Sequence, residues 1–471
     1  MALLLATLAA FGPWLASAYF LFDDFAVVDA ASTRPLATLL RGAYGHFRPA
    51  GLILFRAEAL AFGWNVPSGW ALVSVGLHFL NVVLVAALLL RLGSGPVGAV
   101  GGSALFVASP WASEAFFWVS AQPDLLAVAG LLGTILAGLA ASEARGGRRA
   151  GLVVLTLLAA GVALFSKEMA VTLPVLFVLL ALAASPGGTR ETLRRAAAPA
   201  AGIAALTLAY LALRARVLPD LEGPYGRFAE IVRAETLIPS VFGHLREILL
   251  PPVFAGAALR PAALAARVLF AALFAAAVLL ALRAQRRRTL LVAFALLVSL
   301  APVIWSVPAH GSTAGGRMRY LPGVFACALF ALGAEVRKAP ARHGNRRAAI
   351  AAVAFLLGLI SLSTQRRLWS AAATLARQSV AQVAALAPLK EPLFVTNLPF
   401  AFAEGPYILK CYAFRCALGT NAVAGVRANA VTYTLRSGVL VAVRTEPDPF
   451  SDPAPAVPER SLTLRLKPPA R

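Results

Sequence analysis

Two carboxylates stand together in Tyr19-Phe20-Leu21-Phe22-Asp23-Asp24-Phe25, directly after an apolar run. Ionised groups are costly at the edge of hydrocarbon, and those retained there are functional candidates by default. A carboxylate so placed can take a proton from a hydroxyl. The loop that follows adds an imidazole and a cation in His46-Phe47-Arg48-Pro49. Glu114 lies between Trp111 and Trp118, where partial desolvation calls for a cation or hydroxyl partner. Gln122-Pro123-Asp124 comes next, and Ser166-Lys167-Glu168 interrupts two apolar runs. Arg317-Met318-Arg319-Tyr320 follows a glycine-rich run from Gly311 to Gly316. Lysine and arginine at such places suit a phosphate, arginine through its planar fork. Each feature also has a plain structural account. The acids could cap a helix, Lys167 and Glu168 could pair in a solvated hairpin, and the arginines could meet lipid headgroups.

The elements that would position these groups are membrane helices. The chain has 471 residues, of which 59% are hydrophobic and 14% charged, with a mean hydropathy of +0.77. Soluble domains average about 45–50% apolar and about 25% charged residues. One globular core cannot hide this excess, so the chain reads as a mainly α, polytopic membrane protein of about eleven spans. The expected spans are Ala2–Tyr19, Trp70–Leu90, Val97–Ser109, Leu125–Ala141, Leu152–Phe165, Ala170–Ala184, Ala198–Leu213, Leu264–Leu282, Leu290–Trp305, Leu321–Glu335 and Ala348–Ser363. The segments Ala50–Glu58 and Ile238–Leu250 read as interfacial helices. Ala16-Ser17-Ala18 imitates a signal-peptidase site, but no basic region precedes it, and an uncleaved first span is expected.

The net charge of +22 would suggest nucleic acid in a soluble protein. Here the arginines cluster in alternate short loops, at Arg145 to Arg149, Arg190 to Arg195, Arg283 to Arg288 and Arg337 to Arg347. That pattern sets topology, with those loops cytoplasmic and the acids facing outward, and no nucleic-acid partner is expected. A carrier would more often place its acids near mid-membrane. From Pro388 onward β-rich runs appear, at Leu393-Phe394-Val395, Val431 to Leu435 and Val439 to Val443, with a turn at Arg436-Ser437-Gly438. Residues 388–471 are expected to form a small outward domain of mainly β character, with a loosely ordered proline-rich tail from Pro447 to Pro458. Cys411 and Cys416 could pair there or stay as thiols.

Taken in order, the motifs resemble the C-type (GT-C) glycosyltransferases. They are Asp-Asp after the first span, Arg48-Pro49 before an interfacial helix and Leu77-His78-Phe79-Leu80-Asn81 in the second span. Ser109-Pro110-Trp111 with Glu114 and Trp118, then Ser166-Lys167-Glu168, then Arg319-Tyr320-Leu321-Pro322 complete the series. The likeness covers residues 1–365 and is nearest to the protein O-mannosyltransferase-like branch that includes transmembrane tetratricopeptide-repeat enzymes. The chain lacks that branch's C-terminal repeats and has Gln122-Pro123 where the family often has Gly-Arg, one cation fewer.

The resemblance implies an inverting transfer of a sugar from a polyprenyl-phosphate donor to a protein, lipid or glycan acceptor, with a first-loop acid as base. Asp24 is the expected base, with Asp23 supporting it. Lys167, Arg319 and Arg48 are expected to hold the phosphate, and Glu114 to orient sugar or acceptor. His46, Asp124, Glu168 and Tyr320 complete the expected substrate-binding set. A divalent metal near Asp23 and Asp24 would be tolerated, though no ligand spacing demands one. The setting expected is a bacterial inner membrane, with the site and C-terminus periplasmic. Two other readings stay open at this point: a non-catalytic carrier or flippase of lipid-linked glycan, and a polysaccharide polymerase or ligase using the loop from Arg214 to Ala263.

Overall fold

The computed structural model describes residues 2–40, 46–218, 234–254, 259–304, 306, 308, 312–334, 342–387, 392–418, 426–436, 439–449 and 460–467. The helices in order are α1 (Ala2–Ser17), α2 (Asp24–Thr33), α3 (Leu36–Leu40), α4 (Pro49–Phe62), α5 (Pro67–Arg91), α6 (Pro96–Ala108), α7 (Glu114–Phe117) and α8 (Gln122–Glu143). There follow α9 (Gly146–Ser166), α10 (Leu173–Ala184), α11 (Thr189–Val217), α12 (Ala234–Leu249), α13 (Arg260–Leu300), α14 (Tyr320–Ala334) and α15 (Arg342–Ala384). Proline opens α4, α5, α6, α8, α10 and α13 at the first or second position. Its fixed φ suits a helix start, where the missing N–H has no intrahelical partner to lose.

Each of the eleven expected spans overlaps a helix. Among the described residues, six helices are long and apolar enough to cross a membrane: α5, Val119–Glu143, α9, α11, Arg260–Val303 and Ala348–Ala384. Ala2–Ser17, Pro96–Ala108 and Glu168–Ala184 are apolar but shorter. A thirteen-residue helix such as α6 rises about 20 Å, less than the ~30 Å of bilayer hydrocarbon. The chain is an integral membrane protein. The eighth and ninth expected spans are two arms of α13, which breaks at Gln285 (φ −146°, ψ 47°). That break falls beside Arg286-Arg287-Arg288, where two apolar stretches meet a polar end of the bundle.

The expected polar contact inside the second span is present. His78 Nδ1 lies 2.7 Å from the Tyr320 hydroxyl and Nε2 lies 3.1 Å from the Val107 carbonyl. Asn81 donates to Leu125 O and to the same Tyr320 hydroxyl. These bonds tie α5 to α6, α8 and α14, and they satisfy polar atoms that would otherwise be costly among apolar neighbours. Gly333 lets the Ala277 carbonyl of α13 approach so closely that a Cβ would collide with it.

Beyond the bundle, β1 (Leu393–Phe402), a short α16 (Tyr412–Leu418), β2 (Val426–Arg436), β3 (Val439–Pro447) and β4 (Arg460–Leu462) form a small domain. The sheet order is β3-β2-β1-β4, with β1 parallel to both β2 and β4, and β2–β3 an antiparallel pair. The expected strands are found. The turn residues Ser437 and Gly438, and most of the proline-rich tail, lie outside the described residues. Beyond that tail, β4 pairs with β1, and residues after it dock on α15. There Gln378 and Gln382 exchange hydrogen bonds with the backbone of Lys467 and Arg465. Cys411 and Cys416 are free thiols. The helix α15 therefore passes from bundle to domain and fixes one to the other.

Candidate active site

The bundle has two chemically distinct ends. At one end Arg91 pairs with Glu143, Arg149 donates to Arg195 O, Arg287 to Thr189 and Arg288 to Ala183 O. This is the arginine-rich end expected from the loops; the cluster from Arg337 to Ala341 lies outside the described residues. The acid doublet and its partners occupy the other end.

The doublet is held by a strained turn. Phe22 has φ +47°, a left-handed conformation rare for a bulky residue, and its N–H donates to Ile408 O at 2.9 Å. Such strain persists only where the surroundings impose it, and it gathers at functional sites. Ser109, before Pro110-Trp111, is the other non-glycine residue with positive φ among the described residues. The turn sends the two acids in different directions. Asp24 is 1% exposed. Its Oδ2 accepts from Leu21 N at 2.9 Å, and its Oδ1 accepts from Ser120 N at 2.7 Å and Ser120 Oγ at 2.6 Å. Burial pushes the Asp24 carboxyl up to about 7, against the pull of those hydrogen bonds.

Asp23 has a side chain that is 43% exposed. Its Oδ1 accepts from Lys410 Nζ at 2.8 Å and from the Tyr412 hydroxyl at 3.1 Å. Its Oδ2 has no hydrogen-bond partner among the described residues. The expectation put the proton-accepting role on Asp24. Both oxygens of Asp24 are engaged in holding the first loop, to Leu21 N and to Ser120.

Arg48, Lys167 and Arg317 each hold a carboxylate. Arg48 makes a forked pair with Glu168 at 2.9–3.2 Å, and His46 Nδ1 lies 3.7 Å from the same acid. Lys167 Nζ lies 2.8 Å from Asp124 Oδ2. Arg317 donates to both oxygens of Glu114, through its N–H at 3.1 Å and Nη1 at 2.8 Å, and its guanidinium lies 4.6 Å from the centre of the Trp118 ring. Glu114 thus has the cation partner its aromatic surroundings demand. Burial, with Arg48 and Arg317 close by, pushes the Lys167 ammonium down to about 8, against the pull of Asp124 and Glu168. Lys167, Arg48 and Arg317 therefore share one neighbourhood. The Tyr407 hydroxyl is raised by burial and by Glu114 and Asp23, which links that neighbourhood to the doublet.

Arg319 is fully buried on the same side. Its Nε donates to Trp111 O at 2.9 Å, and its Nη1 has no partner among the described residues. Tyr320 does not join the site. Its hydroxyl meets His78 and Asn81 inside the bundle. Gln122, beside the proline at the position where the resembled family often has arginine, donates to Glu58 Oε1 at 2.8 Å, to Trp70 O and to Ser74 Oγ. Burial pushes the Glu58 carboxyl up to about 8, so a neutral amide serves it where an arginine would make an ion pair. No group of three or more His, Cys, Asp or Glu that could hold a metal comes together among the described residues. With Lys410 on Asp23 and backbone donors on Asp24, the doublet does not fit a divalent cation.

Sequence reading missed Ser120, Tyr407, Lys410 and Tyr412. Lys410 is one of only five lysines in the chain, but nothing in the sequence ties it to Asp23, 387 residues away.

No protein-family model matches the chain. Over 171 residues, 33% of the chain, it is 32% identical to protein O-mannosyl-transferase Tmtc1 of Drosophila melanogaster. The match spans 19% of that relative. Among solved structures, ArnT from Cupriavidus metallidurans superposes with a TM-score of 0.50 in its apo state, at 13% identity, over 89% of this chain and 84% of ArnT. The same enzyme bound to undecaprenyl phosphate gives a TM-score of 0.50 at 14% identity, over 92% of each chain. The likeness to ArnT is one of fold, and it agrees with the order of motifs along the chain: this protein has the GT-C glycosyltransferase fold.

Proposed function

We propose that the chain is a membrane glycosyltransferase that moves a sugar from a polyprenyl-phosphate donor to an acceptor hydroxyl by a single inverting displacement. The observation that carries this reading is a carboxylate oxygen, Asp23 Oδ2, without a partner among the described residues at the end of the bundle where Arg48, Lys167, Arg317 and Arg319 gather. Asp23 Oδ2 takes the acceptor's proton as the acceptor oxygen bonds to the anomeric carbon. The bond from that carbon to the phosphate oxygen breaks, and its electron pair leaves with the lipid phosphate. Lys167, Arg48 and Arg319 stabilise the departing charge. Glu114 acts through Arg317, which it holds over Trp118. The undecaprenyl phosphate bound by ArnT and the mannosyl transfer in the fly relative's name support a polyprenyl-linked donor. The gathering of ion pairs at one end supports a surface reaction over a carrier's midplane site.

The test is transfer from polyprenyl-phosphate mannose and polyprenyl-phosphate glucose in membranes holding the full chain. Mass spectrometry of glycans and glycolipids from cells with and without the protein accompanies it. Asp23→Asn is expected to lower the rate at least about 100-fold, the scale of general base loss. Equal rates at equal protein level would remove Asp23 as base. An unchanged glycan profile, with no transfer from either donor, would remove the reading itself.

A further inference from the structure

The C-terminal domain reaches the acid doublet. Its segment 407–412 returns to the first loop, where Ile408 O receives the Phe22 N–H and the Tyr407 ring stacks on Phe22 at 4.7 Å. Lys410 is 9% exposed at its side chain and sits 3.6 Å over the Phe22 ring while it donates to Asp23 Oδ1. Tyr412 donates to the same oxygen. Two donors on one carboxylate oxygen fix the rotation of the side chain, and they leave the second oxygen as the acceptor.

We propose that Lys410, assisted by Tyr412, is a positioning residue that holds Asp23 Oδ1 so that Oδ2 faces the acceptor hydroxyl. The C-terminal sheet is then a part of the enzyme's machinery, because the bundle alone supplies neither donor. This rests on the reading that Asp23 is the base. The lysine touches no reacting atom; it sets where the basic oxygen points. Its location under an aromatic ring also removes competing water, which strengthens a charge-assisted bond. A docking role alone would make the same contact matter only for stability.

The experiment compares the full chain with Lys410→Met, Lys410→Arg, Asp23→Asn and Gln382→Ala, using transfer from a polyprenyl-phosphate sugar in membranes at matched protein level. Gln382→Ala removes two bonds that dock the same domain on α15, far along the chain from the doublet. Lys410→Met is expected to lower kcat about 10- to 100-fold, the scale of one hydrogen bond to a charged group, with donor KM within about twofold. Lys410→Arg is expected to recover most of the loss, and Gln382→Ala to leave kcat unchanged. Lys410→Met added to Asp23→Asn is expected to cost nothing further, since the two residues act as a unit. Equal losses in Lys410→Met and Gln382→Ala, or a fully active Lys410→Met where Asp23→Asn is dead, would overturn the positioning role. An active Asp23→Asn would instead overturn the assignment beneath it.

Discussion

Removal of one hydroxyl, in Ser120→Ala, separates the roles of the two acids. Ser120 Oγ donates to Asp24 Oδ1 at 2.6 Å, and the Ser120 N–H bonds the same oxygen at 2.7 Å and survives the change. A hydrogen bond to a charged group contributes about 1.5–3 kcal/mol. With one donor retained, the lower half of that range applies, about 1.5–2 kcal/mol. The effect must depend on pH. Burial raises the folded-state pKa of Asp24 from 3.8 to about 7, so the folded protein binds the proton more tightly than the unfolded chain. The cost of burying the charge is therefore full above about pH 7 and is relieved as pH falls toward about 4. The Ser120 bond favours the ionised form, so its loss weakens the protein most above pH 7 and least near pH 5. Unfolding in mixed micelles titrated with dodecyl sulfate, at about pH 5, 7 and 8.5, measures this. A loss of equal size at all three values would refute the argument from burial. The same variant discriminates the bases. If Asp24 took the proton, the acid limb of the kcat/KM profile would move to higher pH in Ser120→Ala. With Asp23 as base that limb stays where it is.

Lys167 should make donor binding fail in alkali. Its folded pKa is lowered to about 8, so its charge is lost as pH rises through that value, and donor KM is expected to climb there. In Lys167→Arg the climb should vanish, because arginine stays charged; an identical alkaline climb in this variant would exclude Lys167 as the group responsible. Glu58→Gln is expected to match the wild-type stability near pH 7, since burial holds Glu58 protonated up to about 8. Above that pH the variant should be the more stable of the two, because it has no charge to bury. Thermal unfolding across that range checks it, and a destabilised variant at every pH would mean that Glu58 is ionised in the folded protein.

Local structure was legible because local chemistry dictates it. The expected second span, Trp70–Leu90, differs from α5 by a proline-led first turn, since proline starts a helix more readily than an apolar count reveals. The strand Val431–Leu435 is the C-terminal half of β2, where alternation and β-branching are strongest. Glu114 was legible as a group in want of a partner, although Arg317 stands 203 residues away. The orientation of the doublet was not legible. Asp23 and Asp24 are adjacent and alike in type, and only the left-handed Phe22 and the closeness of Ser120 decide which is buried. Nor was Lys410, which meets Asp23 across 387 residues and belongs to a domain whose strands announced only themselves. Burial and pairing are properties of the assembled bundle, and composition or periodicity carries no record of them. The setting of Tyr320 was not legible either: the residue follows Arg319 in sequence, and its hydroxyl meets His78 and Asn81 inside the bundle.

The pairing itself bears on mechanism. A cation taken out of water costs several kcal/mol unless a carboxylate meets it with good geometry. Each of Arg48, Lys167, Arg317 and Lys410 has such a partner at the charged end. On the proposed reading this keeps the phosphate-binding groups ionised and in place while no donor is bound. An arriving phosphate then competes with carboxylates already present, so that its affinity is a difference between two favourable arrangements. Such a site binds its donor with moderate strength and gains where the phosphate acquires extra charge, as the glycosidic bond breaks. Interactions that strengthen between bound donor and transition state raise the rate, and those equally strong in both do not. Arg319 differs in geometry: its Nη1 has no partner among the described residues, and the charges of Glu247 and Glu114 act on it from nearby. On the proposed reading that Nη1 is open to the departing phosphate, so its loss should lower turnover.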